Sequence, residues 1–254
     1  MFAGRSEGRH RLAAEPGHRR GPDPEAGQGR AATGDLPARD AEVVIRAGTV
    51  ELPGHLAVPG QAAGIVVFAH GSGSSRRSPR NHQVAGVLAG AGLATLLFDL
   101  LTSDEAGDRG NVFDIGLLAG RLGDATAWLR TQPGLTGLPA GYFGASTGAA
   151  AALWAAAAPG ADIAAVVSRG GRPDLAGPRL HLVTAPTLLI VGGLDDVVLD
   201  LNRRARAQLR GENRLAVVPG ASHLFEEPGT LAAAAALARD WFAGHFAAGP
   251  AGGS

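Results

Sequence analysis

Residues 138–158 read LPAGYFGASTGAAAALWAAAA, an apolar run, a small-residue turn and an Ala-rich run in succession. Leu138–Phe143 is a short apolar run of the kind that forms a strand buried on both faces. Thr147–Ala158 is Ala-rich and reads as a helix. Between them stands Gly144-Ala145-Ser146-Thr147-Gly148, a G-x-S-x-G pattern in the strand–helix context that gives it meaning. Such a turn is sharp, and small residues on either side let the backbone pass closely. The serine hydroxyl then projects at the N-terminus of a helix, where developing negative charge is stabilised.

Outward from this stretch the same rhythm repeats. Ala41–Arg46 and Thr49–Val58 read as two short strands, with Pro-Gly at 53–54 and 59–60 as turn punctuation. Gly64–Ala69, Leu93–Asp99, Ile163–Ser168, Thr187–Val191 and Arg214–Val218 read as further strands. Asn81–Ala91, Phe113–Arg130, Leu199–Arg210 and Leu231–Phe246 read as helices. Leu100–Phe113 reads as a long polar loop with acids at 104, 105 and 108. An initial β-hairpin followed by alternating strand and helix predicts an α/β fold, a mostly parallel sheet with helices on both faces. In such sheets the active site lies at the carboxyl ends of the strands.

Composition sets the bounds. The length suits one large α/β domain, expected over residues 41–247. Residues 1–40 are rich in Gly, Pro, Arg and Glu and too poor in large apolar residues to offset their ordering entropy, so a disordered tail is expected there. Residues 248–254 are Gly, Ala, Pro and Ser and read as a flexible C-terminal tail. Formal net charge is zero, which argues against nucleic acid or an anionic membrane as partner. It permits a homodimer without demanding one. The chain has no Cys, so disulfides, thiolate metal sites and a Cys nucleophile are excluded together. The eight His are scattered and no H-E-x-x-H occurs, so no metal and no cofactor are expected. No run approaches a membrane span and no apolar leader is evident, so a cytoplasmic protein is expected.

The strand ends carry the chemistry. Serine needs a base to attack a carbonyl at neutral pH. His223 follows the last predicted strand, in Pro219-Gly220-Ala221-Ser222-His223. The base needs a carboxylate to hold its tautomer. Asp195 and Asp196 both follow the strand Thr187–Val191 and compete for that role. An oxyanion hole needs two N–H groups. Thr147 supplies one, and Ser72 or Gly73, in His70-Gly71-Ser72-Gly73-Ser74, supplies the other. His70 precedes that turn and reads as structural. Arg169, at another strand end, either binds a substrate carboxylate or pairs with an Asp such as Asp99 or Asp174.

With these residues placed, Ala41 to Phe246 resembles the α/β-hydrolase superfamily, and within it the dienelactone-hydrolase-like branch. The resembling pieces are His70-Gly-Ser-Gly, the Gly144–Gly148 elbow, Gly192-Gly193-Leu194-Asp195-Asp196-Val197-Val198 and Pro219–His223. In the superfamily the acid stands in a G-x-x-D-x-x-V setting, which Gly192, Asp195 and Val198 fit, so the resemblance favours Asp195. The chain order Ser, Asp, His agrees. The resemblance implies an α/β-hydrolase fold and hydrolysis of a small-molecule ester, lactone or thioester through an acyl-enzyme. Dienelactone hydrolases proper carry Cys where this chain has Ser146. The short segment between Ser168 and Thr187 implies little or no cap. Chains of this pattern also occur joined to a phosphoribosyltransferase domain, and residues 1–40 carry no phosphate loop of that kind. Acyl transfer or cleavage of a non-ester bond on the same triad is the first alternative. A non-catalytic binding or regulatory module is the second.

Overall fold

A computed structural model describes residues 38–247. The expectation of a disordered tail therefore lies outside the described residues for 1–37, and that of a C-terminal tail for 248–254. Arg39 and Asp40 already belong to the first strand.

Eight strands form one sheet: β1 (Arg39–Ala47), β2 (Val50–Val58), β3 (Ile65–Ala69), β4 (Ala94–Phe98), β5 (Ala140–Ala145), β6 (Ala165–Arg169), β7 (Thr187–Gly192) and β8 (Asn213–Val218). Their spatial order is β1-β2-β4-β3-β5-β6-β7-β8. β1 pairs antiparallel with β2, and β2 antiparallel with β4. The remaining pairs are all parallel. This is the α/β-hydrolase arrangement expected, with the hairpin at one edge.

Pro53-Gly54, read as a turn, lies inside β2 instead. The ladder from β2 to β4 begins at Gly54, so the N–H that Pro53 lacks falls at its end. Gly54 also allows close approach, because a Cβ there would stand 3.1 Å from the Phe98 Cβ.

The inner strands read as unbroken apolar runs because both faces are covered. Along β3, Ile65, Val67 and Ala69 enter one core while Val66 and Phe68 enter the other. The first core holds side chains of α4 (Ile115–Arg130) and α5 (Thr147–Ala156). The second holds side chains of α1 (Pro79–Gly90) and α7 (Thr230–Ala247). Ser78 caps α1, its hydroxyl accepting from the Asn81 N–H at 3.3 Å, with Pro79 at the first helical position.

The polar segment after β4 is not a loop throughout. It folds into two short helices, α2 (Ser103–Ala106) and α3 (Arg109–Phe113). Thr102 and Glu105 form a capping box, with bonds of 3.2 and 2.9 Å between each side chain and the other's N–H. Arg121 holds Glu105 at 2.7 Å. α6 (Asp196–Arg206) starts at the residue after Asp195, earlier than the apolar periodicity suggests. No helix among the described residues is long and apolar enough to cross a membrane.

Phe242 of α7 fixes that helix to the sheet. It is fully buried, and it lies where a Cβ on Gly141 of β5 would come within 2.6 Å of its ring. Phe242→Ala should lower the free energy of urea unfolding by about 3–5 kcal/mol. A loss below about 1 kcal/mol would mean that α7 does not depend on this contact.

Candidate active site

Ser146 links β5 to α5 with φ 51° and ψ −121°, a region that side chains rarely occupy. Close packing imposes it. A Cβ on Gly148 would stand 2.1 Å from the Ala69 carbonyl oxygen, and one on Gly144 would stand 2.4 Å from the Ala149 Cα. Backbone bonds then hold the turn. The Ser146 N–H donates to the Arg169 carbonyl at 3.3 Å, and the Ser146 carbonyl accepts from Arg172 at 3.0 Å and Ala149 at 3.1 Å. Gly71 packs against the serine, leaving 3.0 Å between its would-be Cβ and the Ser146 Cβ.

His223 Nδ1 lies 2.6 Å from Asp195 Oδ2. Asp195 stands at the N-cap of α6, where an aspartate usually bonds to the helix's own N–H groups. Its carboxylate makes no such bond and faces the imidazole instead. Asp196 is exposed at the first helical position. The geometry thus brings Asp195, and not its neighbour, to His223.

The histidine loop is braced from several sides. The Leu194 N–H donates to the Ala221 carbonyl at 2.9 Å. Gly192 admits this contact, since a Cβ there would lie 2.4 Å from the same oxygen. Glu227 accepts from the Ser222 N–H at 2.9 Å, which holds its carboxyl below the ordinary value. Phe225, buried, takes a φ of 57°. Gly170, the residue after β6, packs against the His223 carbonyl, where a Cβ would be 3.0 Å away. Arg169-Gly170 therefore meets Ser146 on one side and His223 on the other. No hydrogen bond joins the Ser146 hydroxyl to the imidazole, whose Nδ1 faces Asp195.

Beside the elbow opens a cavity of about 220 Å³, lined among others by Gly71, Ser72, Thr147, Leu100, Leu101 and Val112. The Ser72 N–H already donates to Thr147 Oγ1 at 2.8 Å. Gly73 has a φ of 70°. Arg76 and Asp99 latch this loop. Asp99 accepts from the Arg76 N–H at 2.7 Å and from its guanidinium at 2.8 Å. Thr102, the first residue of the capping box, also lines the cavity; its T-x-x-E spacing with Glu105 is a signal that the loop reading passed over, whereas the Arg76–Asp99 latch has no local signal.

Arg169 is 7% exposed. Both of its expected carboxylate partners are engaged elsewhere, Asp99 by Arg76 and Asp174 by Arg172 at 2.8 and 2.9 Å. The Arg169 Nε and Nη1 are buried without a hydrogen-bond partner. Its guanidinium lies 5.7 Å from the centre of the Phe225 ring. Burial, and then Arg80, pushes its pKa down to about 10, so it stays charged at neutral pH.

His70 is structural, as its place before the turn suggests. Its Nε2 accepts from the Leu100 N–H at 3.1 Å, so its proton resides on Nδ1, which faces the Gly71 carbonyl at 3.0 Å. Burial pushes its pKa below the ordinary 6.5. The unfolded chain therefore takes up a proton below about pH 6.5 that the folded chain resists. Stability from this group is full above that pH and is lost as pH falls toward the folded value. His70→Gln removes the titration. The stability difference between wild type and this variant should shrink between pH 7.5 and pH 5, measured by urea unfolding at each pH. A constant difference would show that His70 does not titrate between the two states.

No family model matches the chain. A Mycobacterium tuberculosis protein that carries the provisional name phosphoribosyl transferase is 64% identical over 222 residues, covering 87% of this chain and 50% of that protein. The chain thus spans about half the length of the curated relatives it matches so well. The crystal structure of a dienelactone hydrolase from Anabaena variabilis is 56% identical, with a TM-score of 0.79, covering 82% of this chain and 98% of that one. The esterase Est1E from Butyrivibrio proteoclasticus shares the fold at 14% identity and a TM-score of 0.70, covering 81% and 99%. Identity at that level with a solved structure covered almost end to end shows that this chain belongs to the dienelactone-hydrolase-like branch of the α/β-hydrolase superfamily.

Proposed function

We propose that the chain is a serine hydrolase that cleaves a carboxylic ester, lactone or thioester through an acyl-enzyme. Ser146 is the nucleophile, His223 the base and Asp195 the carboxylate that orients the base. The observation that carries this reading is the 2.6 Å contact of His223 with Asp195, set at the carboxyl ends of the parallel strands together with a serine at positive φ. Asp195 holds the proton on His223 Nδ1, which leaves Nε2 free to take the serine proton. As Ser146 Oγ bonds to the carbonyl carbon, the displaced electron pair moves to the carbonyl oxygen. The N–H of Thr147, at the start of α5, faces that oxygen, and the loop holding Ser72 and Gly73 supports it. Collapse breaks the bond to the leaving group, which takes the proton from His223. Water then repeats the sequence in reverse roles.

Arg169 gives the site its charge preference. A buried cation with no carboxylate partner lowers the electrostatic cost of an anionic group nearby, so substrates bearing a carboxylate are favoured.

The first experiment treats the purified protein with a fluorophosphonate probe and locates the modified residue by mass spectrometry. Labelling should occur at Ser146, vanish in Ser146→Ala and weaken in His223→Ala. A folded protein that takes no label would favour a binding or regulatory module instead. On an ester substrate, Ser146→Ala and His223→Ala should each remove most of the rate, and the double variant should be little worse. Additive losses would count against a shared machinery. Arg169→Met should raise KM for acidic esters while leaving neutral esters nearly unchanged; equal losses on both would overturn the charge preference. Products formed with added alcohol acceptors would separate hydrolysis from acyl transfer.

A further inference from the structure

Thr147 is the residue after the elbow serine, and its side chain is placed unlike that of a helical threonine elsewhere in the chain. A threonine inside a helix usually gives its hydroxyl proton to the carbonyl one turn earlier. Thr126 of α4 does so, donating to the Leu122 carbonyl at 2.9 Å. At the first position of α5 the preceding turn is the elbow, and Thr147 makes no such bond. Its Oγ1 is an acceptor, taking the Ser72 N–H at 2.8 Å. The residue is 4% exposed and lines the cavity beside Ser146 together with Gly71 and Ser72. Among the described residues nothing accepts the Thr147 hydroxyl proton. A nearly buried hydroxyl, polarised by an incoming N–H and with its own proton unclaimed, thus stands on the residue next to Ser146 and in the wall of that cavity.

We propose that the Thr147 hydroxyl is an oxyanion donor, and that the Ser72 N–H acts through it. This rests on the serine hydrolase reading. Ser146 Oγ forms its bond to the carbonyl carbon, its proton goes to His223 Nε2, and the π electron pair moves to the carbonyl oxygen. The hydroxyl of Thr147 and its own backbone N–H then both donate to that oxygen, and neither proton is transferred. The Ser72 N–H, bonded to Oγ1, makes the hydroxyl a better donor. When the tetrahedral intermediate collapses, the pair returns to the carbonyl, the leaving-group bond breaks, and His223 gives its proton to the leaving oxygen. The notion that Ser72 itself contacts the oxyanion is thereby replaced, because its only N–H is committed to Thr147.

The experiment starts with fluorophosphonate labelling of the wild type, which tests the hydrolase reading alone. Absence of label at Ser146 would end that reading, and this inference with it. Given labelling, Thr147→Ser, Thr147→Val and Thr147→Ala are compared on a carboxylic ester and on the matching thionoester. Sulfur accepts hydrogen bonds poorly, so an oxyanion donor favours the oxygen substrate. Thr147→Val should lower kcat about 100-fold with little change in KM, the loss expected for one oxyanion donor. Its preference for the ester over the thionoester should narrow, and Thr147→Ser should restore both rate and preference. A kcat within about threefold of wild type would overturn the proposal. So would a large loss with the ester preference unchanged, since Thr147 would then only brace the loop. Thr147→Ala gives the same reading should the valine variant fail to fold.

Discussion

The close crossing of the elbow over the end of β3 is the constraint from which the rest of the site follows. Gly148 lies so near the Ala69 and His70 carbonyls that a single methyl group would overlap both. That approach forces Ser146 into a backbone conformation costing on the order of 1–3 kcal/mol. Three backbone hydrogen bonds to residues 149, 169 and 172 offset the strain and fix its direction. Because the crossing brings α5 and the loop after β3 together, Thr147 can reach Ser72. Ser146 and the loop after β3 are therefore one packed unit.

A second unit surrounds His223. It contains another residue of positive φ, Phe225, whose ring is buried against the Arg169 guanidinium. Arg169-Gly170 is the hinge between the two units, since its backbone binds Ser146 and packs against His223. Loop contacts of this density leave little freedom for the imidazole except rotation about its own side chain. Such a site is preorganised by the ends of parallel strands, which are held in register by the sheet core.

Electrostatics distinguishes this site from the neutral chain around it. Most acid–base pairs here are half-exposed and worth little individually. Arg169 is the departure, a charge placed in a low-dielectric setting with no carboxylate to meet it. Burying a cation unpaired is costly. Replacing it with a packed apolar residue would suit stability better.

Much of this was legible in the residues alone. Strands covered on both faces must be apolar throughout, so β3, β4 and β5 announce themselves in Gly64–Ala69, Leu93–Asp99 and Leu138–Phe143. A turn as tight as the elbow tolerates only small neighbours, which is why G-A-S-T-G marks Ser146. Other features were set only when distant segments met. Asp195 and Asp196 differ by one residue in the chain, and the orientation of α6 turned one toward His223, 28 residues away. The Ser72 N–H found its acceptor 75 residues later, on Thr147. Pro53-Gly54 carries turn chemistry, yet pairing on both sides made it strand. Arg169 could be seen at a strand end, but its lack of a partner depended on Arg76 and Arg172 having claimed Asp99 and Asp174 first. Local composition determines which elements form, because burial and backbone sterics act within a few residues. The choice of hydrogen-bond partner belongs to the tertiary structure, because bonds of 3 Å are decided by the three-dimensional approach of groups far apart in the chain.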